Sequence, residues 1–204
     1  LGEDLMPITA NQVKELRDRS GVGMMDCKKA LVEADGNIDK AFDLLRKSGI
    51  AKAQKKAGRN AKDGNVISYI HPGSKLGVLL ELNCETDFVS NTEEFKNLGN
   101  DIAMQIAATS PAGVSRDDIL EEDINKEKEI YSDQAKSTNK PDAIIEKMVE
   151  GRLNKYFKEN VLLEQDFVKD SSLTIENLIT NAISKLGENI VVNRFSRFQL
   201  GDKK

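Results

Sequence analysis

Between Leu76 and Cys84 the chain alternates strictly, and after Cys84 the alternation stops. Val78, Leu80, Leu82 and Cys84 fall on one face and Leu79, Glu81, Asn83 and Glu85 on the other, the period of a strand with one buried side. Glu85-Thr86-Asp87-Phe88-Val89-Ser90 is then polar around a single large aromatic. Asn91-Thr92-Glu93-Glu94 reads as a capping box, with Asn91 capping a helix and Glu94 reaching back. Phe88 therefore lies in a strand-to-helix connection, where chains normally run over the surface. Two readings are open. Phe88 and Val89 can fold back as a hydrophobic staple on the following helix. Alternatively the ring stays exposed until a partner supplies a pocket, forgoing the ~2 kcal/mol that burial gains.

A half-buried strand needs neighbours, and the flanking sequence supplies them. Val66–His71, a Pro72-Gly73-Ser74 turn and Gly77–Cys84 read as a β-hairpin, and Asn189–Leu200 alternates again as a final strand. Helical spacing covers most of the remainder. Thr9-Ala-Asn-Gln12 is a capping box opening a first helix, which ends at Ser20-Gly21. A second helix carries Cys27, Ala30, Leu31 and Ala34 and stops at Asp35-Gly36. A third, capped by Asn37, places Ile38, Ala41, Phe42 and Leu45 inward and closes at Ser48-Gly49. Lys52, Lys55, Lys56, Arg59 and Lys62 follow without an acid among them and read as a solvated, partly helical linker. Beyond the hairpin, Phe95, Leu98, Ile102 and Ile106 form one stripe ending before Pro111, and Ser115–Asp118 opens a helical region running past Tyr131. After a break at Asn139-Lys140-Pro141, a helix with Pro141 as its first residue buries Ile144, Ile145, Met148, Val149, Leu153 and Tyr156. Asn160–Ser172 is irregular, and Thr174–Leu186 is a short amphipathic helix stopped at Gly187.

The expected fold class is α+β: an N-terminal three-helix bundle, then a core with a small three-stranded antiparallel sheet and several helices. The expected domains are residues 6–50 for the bundle, 51–64 for the basic linker and 65–204 for the α+β core and dimerisation domain. Three strands leave two unpaired edges, which invite a second copy of the chain. Neither Cys27 nor Cys84 lies in the terminal strand, where Ser196 stands between Phe195 and Arg197, so a homodimer needs no disulfide. Within the bundle, Met24 and Met25 point about 100° apart on a helix and cannot both sit at the centre of one narrow face. At least one is expected at the surface, as a soft contact for a partner or as an adaptable core filler.

Charge and chemistry narrow the function. A net charge of −4 disfavours nucleic acid as the main partner, including through Lys52–Lys62. No apolar run is long enough to span a bilayer, and Leu1–Leu5 lack the regions of a secretory signal and read as a remnant or processed leader. Two cysteines and one histidine make no metal spacing, and two buried, reduced thiols fit a reducing, cytoplasmic compartment. The one histidine, His71, belongs to the hairpin turn, and Cys84 sits on the apolar strand face where a thiol is inert. Gly21-Val22-Gly23 lacks the lysine of a phosphate loop. The residues alone lead to a binding or interaction protein, not an enzyme.

Three stretches resemble the elongation factor Ts family of bacteria and organelles: VKELRDRSGVGMMDCKKAL from Val13 to Leu31, NCETDFV from Asn83 to Val89, and AISKLGENI from Ala182 to Ile190. The resemblance runs over nearly the whole chain from Ile8, and it looks like the short form with a single core subdomain. It implies a ubiquitin-associated-like N-terminal domain and guanine-nucleotide exchange on elongation factor Tu during translation elongation. The compartment it implies is the cytoplasm, or an organellar matrix or stroma. By this resemblance the chain has no cofactor of its own and acts by displacing Mg²⁺ and GDP from its partner. Asp87 and Phe88, flanked by Thr86 and Val89, would be the intruding element. Arg17, Met24 and Met25 would dock the bundle. Lys56, His71, Leu186 and Gly187 match further contact positions, and Phe88 of one protomer would work beside His71 and Leu186-Gly187 of the other. The competing class is a tethering module whose core only dimerises.

Overall fold

The structure, a computed structural model, describes residues 8–136 and 141–202; the expectations for Leu1–Leu5 and for Asn139-Lys140 lie outside them. Within the described residues the fold is α+β, with N-terminal helices and a small antiparallel sheet of three strands in the order β1-β2-β5. Its elements are α1 (Ala10–Ser20), α2 (Met24–Glu33), α3 (Ile38–Gln54), β1 (Asp63–Ile70), β2 (Leu76–Cys84), α4 (Asp87–Ser90), α5 (Glu93–Thr109), α6 (Glu121–Lys136), α7 (Asp142–Asn160), β3 (Asp166–Phe167), β4 (Asp170–Thr174), α8 (Ile175–Leu186) and β5 (Ile190–Gln199). The chain divides into two compact units, and the first contains residues 8–64, Asn83–Phe95 and Ile179–Val191.

In the first unit the expected capping box is present, with Thr9 Oγ1 accepting from Gln12 N–H at 3.3 Å and Gln12 Oε1 accepting from Thr9 N–H at 2.9 Å. Val13, Leu16, Cys27, Leu31, Ala41 and Leu45 form the core of the three-helix bundle. Asn37 caps α3 by accepting from Lys40 N–H at 2.9 Å. The third helix does not close at Ser48-Gly49 but continues to Gln54. Gly49 is buried in its interior, where a Cβ would meet Ser184 Cβ at an ordinary contact distance of 3.7 Å, and the helix runs through the glycine instead of stopping at it. Ala51, Lys52, Ala53 and Gln54 are strong helix formers that carry the helix onward.

The cap of α5 also differs from expectation. Thr92 is the capping residue, its Oγ1 accepting from Phe95 N–H at 3.2 Å, while Asn91 closes α4 and donates from Nδ2 to Asp87 O at 2.9 Å. The one-turn helix α4 consumes Asn91, and the start of α5 slips by one residue.

The second unit contains Asn65–Leu82, Lys96–Leu178 and the chain from Val192. The β1–β2 hairpin closes through His71 N–H to Leu76 O and Ser74 N–H to His71 O, both at 2.9 Å. Val78, Leu80 and Leu82 are buried as the alternation required, and so are Leu98, Ile102 and Ile106 of α5. Gly99 sets how closely α5 lies on the hairpin: a Cβ there would come 2.2 Å from Ile67 Cδ1 and 3.5 Å from Leu82 Cδ2. Helices α6 and α7 pair as a hairpin whose small core is Ile119, Phe157 and Val161. Pro141 stands just outside α7 as its N-terminal cap residue, one position before its expected place. The expected stripe on α7 is only partly inward. Val149 is buried, Ile144 is exposed, and Phe157 takes the inward place. A two-helix hairpin offers one partner face, too narrow for every apolar residue of a nineteen-residue helix.

The stretch read as irregular contains a short antiparallel ribbon, β3–β4, which is a sheet separate from the three-stranded one. Buried Gln105 holds it. Gln105 Nε2 donates to Gln165 Oε1 (3.1 Å) and Asp166 O (3.2 Å), and Gln105 Oε1 accepts from Val168 N–H (2.9 Å). Strands this short carry no legible period.

Replacing Gly99 by alanine is expected to push Ile67 off its rotamer and lower stability by about 1–3 kcal/mol, read as a drop in melting temperature with helical content retained.

Candidate functional site

The buried alternation of β2 delivers the chain to Cys84, and the next six residues form a displayed turn. Thr86 is extended, Asp87–Ser90 makes one helical turn, and within it exposure changes abruptly. Phe88 is 84% exposed, whereas Val89 and Ser90 are buried. Val89 thus takes the inward role that the staple reading gave to both residues, and the Phe88 ring stands in solvent. An exposed phenyl ring forgoes burial energy, so its display needs a rigid base.

That base comes from the turn after α8. Gly187, at φ +83°, ends the helix and directs the chain back so that Glu188 meets residues about a hundred positions earlier. Glu188 Oε2 accepts from Glu85 N–H (3.1 Å) and Thr86 N–H (3.0 Å), and Oε1 accepts from the Thr86 hydroxyl (2.6 Å). The exchange is reciprocal, because Glu85 Oε1 accepts from Asn189 N–H at 2.7 Å. Asn189 is buried, and its Nδ2 donates to Arg59 O at 2.9 Å. Arg59 pairs with Glu85 at 3.6 Å, and Lys56 Nζ donates to Gly187 O.

The basic segment from Lys52 to Lys62, whose first residues belong to α3, is accordingly not just a solvated linker. Ala53 is buried, Lys52 pairs with Asp26 at 2.9 Å, and Lys56 and Arg59 secure the two turns. On the far side, Ser90 Oγ donates to Asp87 O at 3.1 Å and lies 3.4 Å from Asp63 Oδ1.

Cys84 is buried, as its place on the apolar face implied. Burial first, then the neighbouring Glu188 carboxylate, push its thiol up to about 11, and Sγ donates to Thr86 O at 3.1 Å. It braces the turn as a hydrogen-bond donor. Among the described residues no group of three or more His, Cys, Asp or Glu could hold a metal ion.

The structure brings Thr86, Asp87, Phe88 and Val89 together with Lys56, Leu186 and Gly187 in the first unit. Met24 (56% exposed), Met25 (69%) and Arg17 also lie on its surface, so both methionines are accessible. His71 belongs to the second unit, at the end of the hairpin, with its Nδ1 3.1 Å from Tyr69 Oη. The residues that sequence reasoning passed over are Glu85, Glu188, Asn189 and Arg59. The available signal was a lone glutamate directly after a helix-ending glycine, inside a stretch already singled out for its Leu186-Gly187.

Among known proteins, residues 47–202 match the family model described as Elongation factor TS. The elongation factor Ts of Fervidobacterium nodosum is 56% identical over 197 residues, covering 97% of this chain and all of its own length. That of Thermosipho melanesiensis is 57% identical over 195 residues, covering 96% of this chain and again all of its own. That of Syntrophomonas wolfei is 56% identical over 195 residues, 96% of this chain and 91% of its own.

Because alkylation requires the thiolate, Cys84 is expected to resist iodoacetamide at pH 8 in the folded protein and to react once unfolded. Cys27 is buried and is expected to be shielded from the reagent until the protein unfolds. Mass spectrometry before and after denaturation reads this directly.

Proposed function

The chain belongs to the elongation factor Ts family, and on that premise we propose that it is a guanine-nucleotide exchange factor that binds elongation factor Tu and promotes GDP release. Membership makes it a translation elongation factor. The observation that carries the finer reading is the Phe88 ring, 84% exposed on a turn held from both ends. A phenyl ring offers much apolar contact for little rotamer entropy, which suits insertion into a partner's apolar pocket. Phe88, with Asp87 beside it and Thr86 and Val89 as its flanks, is the intruding group. Its entry displaces the partner's elements that hold Mg²⁺ and GDP. Exchange then follows from linkage: a protein that favours the nucleotide-free form weakens nucleotide binding by the same factor. The chain needs no cofactor and makes or breaks no covalent bond. The compartment is the cytoplasm.

Docking is assigned to the bundle through Arg17, Met24 and Met25. Two adjacent, accessible methionines give an apolar surface that adapts to its partner's shape. Lys56 and Leu186-Gly187 lie at the base of the Phe88 turn and extend this contact. Among the described residues no helix is long and apolar enough to cross a membrane, and the partner is a protein rather than a nucleic acid.

The second element of the proposal is a homodimer. The sheet edges first suggested it, and the outer sheet face strengthens it. Ile70, Leu79, Phe198 and Leu200 are exposed around a groove of about 580 Å³ in the second unit. A contiguous apolar face of this kind favours a second copy over water. Both cysteines are buried, so the contact is non-covalent. Because Leu186-Gly187 stands at the base of the Phe88 turn in the same chain, only His71 is assigned to the other protomer of the dimer.

Phe88→Ala is expected to leave stability within about 1 kcal/mol, since truncating an exposed ring leaves no cavity. It is expected to slow stimulated release of labelled GDP about 10- to 100-fold at saturating protein, as loss of an interface anchor does. Met25→Asp should instead raise the concentration needed for half-maximal release. Unchanged release with folded Phe88→Ala removes the central residue of the exchange reading.

Sedimentation equilibrium at micromolar concentration should give the mass of two chains with or without reductant. Leu79→Lys should raise the dimer dissociation constant roughly 100-fold by placing like charges across the two-fold contact.

A further inference from the structure

We infer that Glu188 is the positioning residue of the Phe88 turn, holding the ring outward before any partner arrives. The inference rests on the exchange reading and extends it to a residue outside the contact set assigned above. Three donors converge on one carboxylate: Glu85 N–H at 3.1 Å, Thr86 N–H at 3.0 Å and Thr86 Oγ1 at 2.6 Å. Bonds to an ionised acceptor are stronger than neutral ones, and three in convergent geometry leave the Glu85-Thr86 backbone one orientation.

This matters because α4 cannot hold itself. A helix of four residues is below the length at which propagation offsets nucleation. Thr86 occupies its N-terminal cap position yet makes no side-chain cap; its hydroxyl turns to Glu188 and donates there instead. The turn's start is therefore set from outside, by a residue 102 positions later in the chain. At its other end, buried Val89 and Ser90 hold it. Phe88 stands between two fixed points.

The carrier of the carboxylate is itself fixed. Gly187 ends α8 in the left-handed region, Lys56 donates to its carbonyl, and the Asn189 N–H is held by Glu85. With the turn set in advance, docking does not have to order it, and the ring enters at the angle the pocket requires.

The test is a double-mutant cycle on the full chain with elongation factor Tu carrying labelled GDP. Glu188→Ala is expected to lower the maximal release rate on the order of 10- to 100-fold, as misplacement of an intact group does, while half-saturation changes little. In the Phe88→Ala background the same change should cost nothing further, because no ring remains to be positioned. Glu188→Gln, which keeps an acceptor for the two N–H groups and a donor for Thr86 Oγ1, should restore most of the rate. A purely structural role would instead lower both backgrounds alike, together with the melting temperature, and would overturn the inference. So would wild-type release by folded Glu188→Ala.

Should Glu188→Ala not fold, Thr86→Val, which deletes only the hydroxyl bond, takes its place with a smaller loss and the same non-additivity. If Phe88→Ala alone leaves release unchanged, the exchange reading has failed. Amide hydrogen exchange of Glu85 to Phe88 in the free protein then decides the positioning role: faster exchange in Glu188→Ala upholds it, and unchanged exchange overturns it.

Discussion

The reciprocal pairing of Glu85 and Glu188 is the interaction on which the displayed turn depends. Each glutamate accepts from the backbone of the other's segment, so two turns distant in sequence close on one another. Backbone N–H groups at the end of a strand and the start of a short helix lack regular partners, and leaving one buried and unpaired costs about 1–3 kcal/mol. The carboxylates satisfy those donors where no ladder or helix can. Arg59 balances the charge at Glu85, and Asn189 links the same turn to the backbone after α3. Removing one member exposes the rest, which gives such a polar cluster more influence than any one of its bonds.

Around this interlock the polar and apolar surfaces have different tasks. Lys52, Lys56 and Arg59 are turned to intramolecular use at Asp26, Gly187 and Glu85. Large apolar side chains are exposed elsewhere, among them Met24 and Met25 on α2, Phe88 on its turn, and Ile70, Leu79 and Phe198 on the outer sheet face. Single exposed apolar residues need no explanation, but grouped ones on rigid elements mark surfaces built for contact. The polar interlock holds the frame, and under the proposed function the apolar groups carry recognition.

The local architecture was legible because it follows from period and capping. The strand at Val78, Leu80, Leu82 and Cys84, the Thr9–Gln12 capping box and the end of α8 at Gly187 are statements about a few neighbouring residues, and the structure contains each of them. So was the oddity of Phe88, a bulky ring in a polar connection. The failures share one cause. Gly49 was read as a stop, Asn91 as a cap, and Ile144 as buried, although each assignment depends on what lies opposite: Ser184 near Gly49, the turn of α4 before Asn91, and the narrow face of α6 against α7.

The sequence by itself determined which segments are helices and strands, which faces are apolar, and that the residues around Phe88 form a connection. Those follow from hydrophobic period, capping side chains and glycine conformation, all of which act within a few residues. Only the tertiary structure decided that Val89 turns inward while Phe88 does not, that the linker's cations serve two turns, and that Glu188 holds Thr86. These are hydrogen bonds and contacts between residues up to about 130 positions apart, and no local pattern encodes their partners. A carboxylate after a helix-ending glycine looks like any solvated glutamate until folding brings three donors to it.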